Sequence, residues 1–142
     1  MTYYVDASAL AKRLRREPGH DVAGGVLGAP DGVATSLISY AETCGALARS
    51  MATRDVIATA VENLDRLWDA LHLIPIDAAM ARSAGAMAQR HRLRGMDAIH
   101  LAAAVEWAAS AAAPVTFVSW DREQRDAARA EGFAPLPDAL PR

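Results

Sequence analysis

The chain has 142 residues, 52% of them apolar and 23% charged, with a formal charge of −2 at pH 7. That length and balance predict one globular domain spanning 1–142, large enough to bury roughly two-thirds of the surface its unfolded form exposes. They exclude a disordered or fibrous chain, and the net charge gives no vote for nucleic acid.

Short β-branched or aromatic runs alternate with segments of 3.6-residue period, the pattern of an α/β protein with a mostly parallel sheet. In chain order, a strand near Tyr3 to Val5 meets Asp6 and a helix over about Ser8 to Arg16, and a short helix follows His20. A strand at Val33 to Leu37 leads into a helix over Tyr40 to Met51 carrying Cys44, the only cysteine, expected to be a buried packing residue. With a single cysteine, neither an internal disulfide nor a cysteine-based metal cluster forms. A helix over Arg54 to Leu71, a strand at Leu73 to Ile76 and a helix over Ala78 to Arg92 come next. The stretch AIHLAAAVEWAASAAAPV is the longest apolar run, but His100 and Glu106 interrupt it and Pro114 closes it. It reads as a buried helix over Asp97 to Ala112 rather than a membrane span. A strand at Val115 to Trp120, a helix over Arg122 to Glu131 and a weaker strand at Phe133 to Leu136 finish the chain. The breaks EPGHD, GAPDG and AAAP fall between elements. No signal-peptide shape precedes Asp6, so the expected compartment is the cytoplasm.

In an open parallel sheet the carboxyl ends of the strands lie along one edge, where ligand chemistry collects. Asp6 follows the first strand, Glu42 lies one turn into the helix after the second, and Asp121 follows the fourth. Asp97 opens a helix after the glycine break LRGMD; if that helix starts at the same edge, four carboxylates converge. Each acid alone has a structural explanation, because helix N-termini favour acids. SYAE offers Ser39 as a cap with Glu42 three positions on, and DREQ offers Asp121 as a cap with Gln124 reaching back. Asp77 in LIPIDAAM sits where Asp6 sits, and pattern alone leaves it in the set.

Four converging carboxylates repel one another, so they take up protons or bind cations. Their hard oxygen donors select Mg²⁺ or Mn²⁺, and such a site holds one or two ions that polarise a phosphodiester and activate water. Ser8 and Ser119 lie two residues from Asp6 and Asp121, as supports for those acids or as phosphate contacts, with turn or capping hydroxyls as the plainer reading. His100, one helical turn beyond Asp97, either reaches the site or packs between helices. Arginines flank the acids in KRLRR, in QRHRLRG and at Arg122 and Arg125, forming either a rim for nucleic-acid phosphates or solvated helix faces.

With these residues in place, the chain resembles the PIN domain, and within it the VapC-like toxins of bacterial and archaeal toxin–antitoxin pairs. The resemblance runs through YYVDASALAKRL, VATSLISYAETCGAL, LRGMDAIHLAAA and VTFVSWDREQRDAARAEGF, in that order and over nearly the whole chain. It implies a three-layer α/β/α sandwich around a short, mostly parallel sheet. It also implies a Mg²⁺- or Mn²⁺-dependent endoribonuclease cleaving single-stranded regions of RNA. Carried over by position, Asp6, Glu42, Asp97 and Asp121 are the catalytic, metal-holding acids, Ser119 matches a position often bearing a hydroxyl, and Asp77 falls outside the metal site. The family further implies a homodimer and an antitoxin whose tail lies over the groove.

Two other readings compete. An Mg²⁺-dependent aspartyl-phosphate phosphatase or receiver also places an acid after its first strand, but it wants a lysine from a late strand or loop, and the only lysine here is Lys12 in the first helix. A non-catalytic PIN-like module, binding protein or RNA with its acids as caps, is opposed by the intact four-acid set.

Overall fold

A computed structural model describes residues 1–29 and 32–141. Its strands are β1 (Thr2–Val5), β2 (Val33–Ser36), β3 (His72–Ile74), β4 (Val115–Val118) and β5 (Pro135–Leu136). Its helices are α1 (Ala7–Arg15), α2 (His20–Leu27), α3 (Ile38–Ser50), α4 (Arg54–Trp68), α5 (Ala78–His91), α6 (Gly95–Ser110) and α7 (Arg122–Ala130). The GAPDG break falls partly on residues 30 and 31, outside the described residues.

The strands form one sheet in the order β3-β2-β1-β4-β5, with every pairing parallel. Parallel strands need crossovers, and the helices that supply them cover both faces. The period of two along the strands sorts the side chains. Tyr4, Ala34 and Phe117 face one apolar cluster with Met80 and Ala84 of α5 and Leu101 and Ala104 of α6. Val5, Val33 and Val118 face the other with Leu10 of α1, Val26 of α2 and Leu64 of α4. The result is the expected α/β/α sandwich.

The chain leaves β1 towards β2 on one side and later returns to β4 on the other, so the strand order reverses between β1 and β4. That reversal opens a crevice beyond the strands' carboxyl ends, the usual ligand position in such sheets. Asp6 and Ser119 stand on its two sides, each one residue past its strand.

The structure departs from the sequence reading at several places. Ser39 is not a cap: α3 begins at Ile38, with Leu37 at the N-cap position and no side-chain cap bond. Ser39 is instead fully buried inside the helix, its hydroxyl 2.6 Å from that of Thr35. Because Thr35 gives its own proton to the carbonyl of Val5, Ser39 is the donor of that pair. Cys44 is only half-buried, against the Val5–Leu10 cluster. Among the described residues no helix is long and apolar enough to cross a membrane.

Candidate active site at the carboxyl edge of the sheet

Asp6 has left β1 with extended backbone, and its side chain caps α1 by accepting from the Ala9 amide at 3.2 Å. Being beyond the central strand, it is also buried, at 2% exposure. Two hydroxyls complete its surroundings: Ser8 donates to Oδ1 and Ser119 to Oδ2, each at 2.6 Å. Those short bonds to a carboxylate favour its charged form. Burial outweighs them. The Asp6 carboxyl is pushed up from its ordinary value by desolvation, against the opposing pull of His100, Ser119, Ser8 and Ala9.

Ser8 and Ser119 therefore serve the site's framework. Ser8 accepts from the Trp120 amide at 2.8 Å and Ser119 accepts from the Asp121 amide at 3.0 Å, so both tie Asp6 to the β4–α7 corner. Ser119 is fully buried, which removes it from contact with a phosphate in this arrangement. Asp121 caps α7 by accepting from Gln124 N–H at 2.9 Å. Gln124 does not reach back to Asp121 with its side chain; its Nε2 donates to Asp97 Oδ1 at 2.8 Å. One hydrogen-bonded path thus runs from Ser8 through Asp6, Ser119, Asp121 and Gln124 to Asp97, in the first turn of α6.

Glu42 belongs to a second path. Its Oε1 lies 2.6 Å from Nε2 of His100, whose Nδ1 is 2.9 Å from the Tyr4 hydroxyl. His100 is fully buried and reaches the acids from behind. Tyr4 keeps its proton, because desolvation first and the charge of Asp6 second push its pKa well above 10. The two paths meet at a groove of about 590 Å³, lined by Ser8 and Glu42 at one end and by Arg15 and Arg49 along α1 and α3.

As placed, no three histidine, cysteine or acid side chains among the described residues are set to hold one ion together. Asp6, Glu42, Asp97 and Asp121 each turn instead to a hydroxyl, imidazole, amide or backbone donor of the protein. Among the described residues none of the four has a lysine or arginine partner, the ion pairs of those residues going to Glu17, Glu131 and Asp126. Two further observations fit a hard divalent cation: the donors are carboxylate oxygens, and the amide oxygen of Gln124, buried beside Asp97, has no hydrogen-bond partner. Asp77 takes no part. It caps α5 through Met80 N–H at 2.8 Å and stays exposed.

The arginines divide. Arg125, expected on the rim, is 2% exposed and donates to the carbonyls of Ser119 and Asp138, pinning the strand end that carries Ser119. Lys12 pairs with Glu17 at 3.1 Å and offers nothing to Asp6, against the aspartyl-phosphate reading.

Fold and edge together define an α/β/α protein with carboxylates gathered at the switch point of a parallel sheet. The PIN domain family matches residues 3–130, and the chain belongs to that family, among its VapC-like members. Two curated relatives from Mycobacterium tuberculosis strains, Ribonuclease VapC45 and Ribonuclease VapC49, are each 32% identical over 141 residues, covering 96% of this chain and 96% of the relative. Among solved structures, a toxin–antitoxin complex from Klebsiella pneumoniae shares the fold with a TM-score of 0.69 at 16% identity, covering 98% of this chain and 99% of that one. VapC20 from Mycobacterium tuberculosis, described as a toxin cleaving the sarcin–ricin loop, does so with a TM-score of 0.67 at 20% identity, over 98% and 99% of the two chains.

Proposed function

We propose that this protein is a Mg²⁺- or Mn²⁺-dependent endoribonuclease that cleaves single-stranded regions of RNA and is the toxin of a toxin–antitoxin pair. The observation that carries this reading is Asp6: a carboxylate buried at the central strand end, desolvated, and given no lysine or arginine as countercharge. Such a group is relieved by a proton or by a cation from outside the chain, and the second is the course taken in this reading. The names of the two curated relatives support RNA as the substrate.

In this reading Asp6, Glu42, Asp97 and Asp121 hold the metal. When bound, the ion supplies Lewis-acid polarisation of the phosphodiester and lowers the pKa of the attacking water. The chain supplies the rest. Ser8 and Ser119 keep Asp6 from rotating, Gln124 orders Asp97, and Arg15 and Arg49 give phosphates a basic wall along the groove, where Glu42 is the acid in the lining. Cleavage leaves 5′-phosphate and 3′-hydroxyl ends. The working unit is the single domain of residues 1–142, paired as a homodimer in the cytoplasm. An antitoxin segment over the groove switches the site off, in keeping with the toxin–antitoxin complex that shares the fold.

The test replaces Asp6 with Asn in a pure, folded sample incubated with single-stranded RNA and Mg²⁺ or Mn²⁺. Cleavage by the parent, its loss on chelation and its loss in the variant are expected. Undiminished metal-dependent cleavage by Asp6→Asn would sink the assignment.

A further inference from the structure

Glu42 is half-buried on α3, and nothing on its own helix fixes its side chain. What fixes it comes from behind the sheet edge. The His100 imidazole is wholly buried, with Nε2 2.6 Å from Glu42 Oε1 and Nδ1 2.9 Å from the Tyr4 hydroxyl. An ionised carboxylate only accepts hydrogen bonds, so in the neutral ring Nε2 carries the proton. Nδ1 is then an acceptor, and Tyr4 is the donor that selects this tautomer. Tyr4 is itself held in the central strand, stacked on Phe117 at 5.6 Å between ring centroids and edge-on to His100 at 6.0 Å.

We infer that His100, fixed by Tyr4, is a positioning residue for Glu42, engaging Oε1 so that Oε2 is left for the groove shared with Ser8. The inference rests on the proposed metal-dependent reading, in which Glu42 is one of the metal-holding acids. Burial obliges both ring nitrogens to find partners, and here one of the two is the carboxylate of Glu42 itself. Hydrogen bonds that orient metal-holding side chains are commonly worth 10- to 100-fold in metal affinity or activity.

Three variants and one spectrum decide it. Gln places an amide nitrogen near the position of Nε2, Asn stops one bond short, and Leu keeps the volume without a donor. Mn²⁺ affinity by calorimetry should be nearly retained in His100→Gln and weakened about 10- to 100-fold in His100→Asn and His100→Leu, all three melting cooperatively. Cleavage of a single-stranded RNA oligonucleotide should fall in kcat with KM little changed. The ¹⁵N spectrum of the parent without metal should show the Nε2-protonated tautomer, and Tyr4→Phe should lose its dominance. Parent-like Mn²⁺ affinity in Asn and Leu, equal damage in all three folded variants, or an Nδ1-protonated ring in the parent would each overturn the inference. If the parent binds Mn²⁺ but cleaves no RNA, the ribonuclease reading falls alone, because the Mn²⁺ affinities and the tautomer are measured without RNA.

Discussion

Replacing Ser119 with Ala removes one hydroxyl and breaks two contacts at once: its bond to Asp6 Oδ2 at 2.6 Å and its acceptance of Asp121 N–H at 3.0 Å. A hydrogen bond to a charged group is worth about 1.5–3 kcal/mol, and the Asp121 N–H, at an exposed residue, loses about 0.5 kcal/mol more. The combined cost is about 3 kcal/mol. At about 2.1 cal/mol/K per residue, the 142 residues give an unfolding entropy of roughly 0.3 kcal/mol/K, so the midpoint should fall by roughly 10 °C. The pH dependence is more diagnostic. Burial raises Asp6 above its unfolded value, so its ionised form burdens the fold once the pH rises through the folded pKa, and protonation relieves that burden. Ser119 opposes the rise, and removing it lifts Asp6 further. The deficit of Ser119→Ala is therefore largest above the folded pKa and shrinks as the pH is lowered through it. Scanning calorimetry of parent and variant in chelator across a pH series measures both quantities. A midpoint within about 2 °C of the parent at pH 8, or a deficit that grows towards acid, would refute the reasoning.

Asp6→Asn in chelator should melt at or above the parent, because it removes a buried charge that has no lysine or arginine partner; a midpoint several degrees lower would mean that the cap to Ala9 dominates. Glu131 is lowered chiefly by its bond to His91, with Arg90 adding to it against desolvation. The stability it gives is present above its unfolded pKa and lost as the pH falls through its folded one. Glu131→Gln should thus cost about 1 kcal/mol at pH 7 and nothing once both carboxyl forms are protonated, as thermal melts at the two pH values would show. Gly19 has φ +104°, and a Cβ there would lie 3.0 Å from the Trp120 indole. Gly19→Ala should cost about 1–3 kcal/mol and shift the tryptophan fluorescence, and an unchanged melt and spectrum would count against that contact.

The element order was legible because the apolar periods of two and 3.6 are strong in this chain, and the helices after Asp6, Asp77 and Asp121 announce themselves by capping chemistry the structure repeats. Capping was also where the pattern misled. SYAE has the spacing of a capping box, yet α3 has already started at Ile38, one residue before Ser39, and Ser39 is drawn inward to the Thr35 hydroxyl four positions back on β2. Arg125 looked like one more surface arginine because its acceptors are two backbone carbonyls, invisible as residue types. His100 was placeable by its helical offset from Asp97, but its partner, 58 positions away in sequence, was not. Gln124 appeared only as a helper of its own cap; its bond to Asp97 depends on how α6 and α7 meet.

Asp6 and Asp77 show what separates a structural acid from a site acid when local sequence does not. Both follow a strand, both adopt extended backbone (φ −89° and −97°), and both cap a helix through the amide three residues on. The difference is the strand each one follows, Asp6 directly after β1 and Asp77 three residues past β3. β3 is at the sheet edge, so Asp77 finds water and its charge is already satisfied. β1 is central, flanked by β2 and β4, so the same cap is walled in by α1, by Ser119 beyond β4 and by His100 behind. Desolvation then raises the cost of its charge, and in the proposed reading a cation shared with neighbouring acids offsets it. Strand order converts a cap into a candidate metal site, and strand order is a long-range property: it is set by which helices cover which face, not by the residues beside the aspartate.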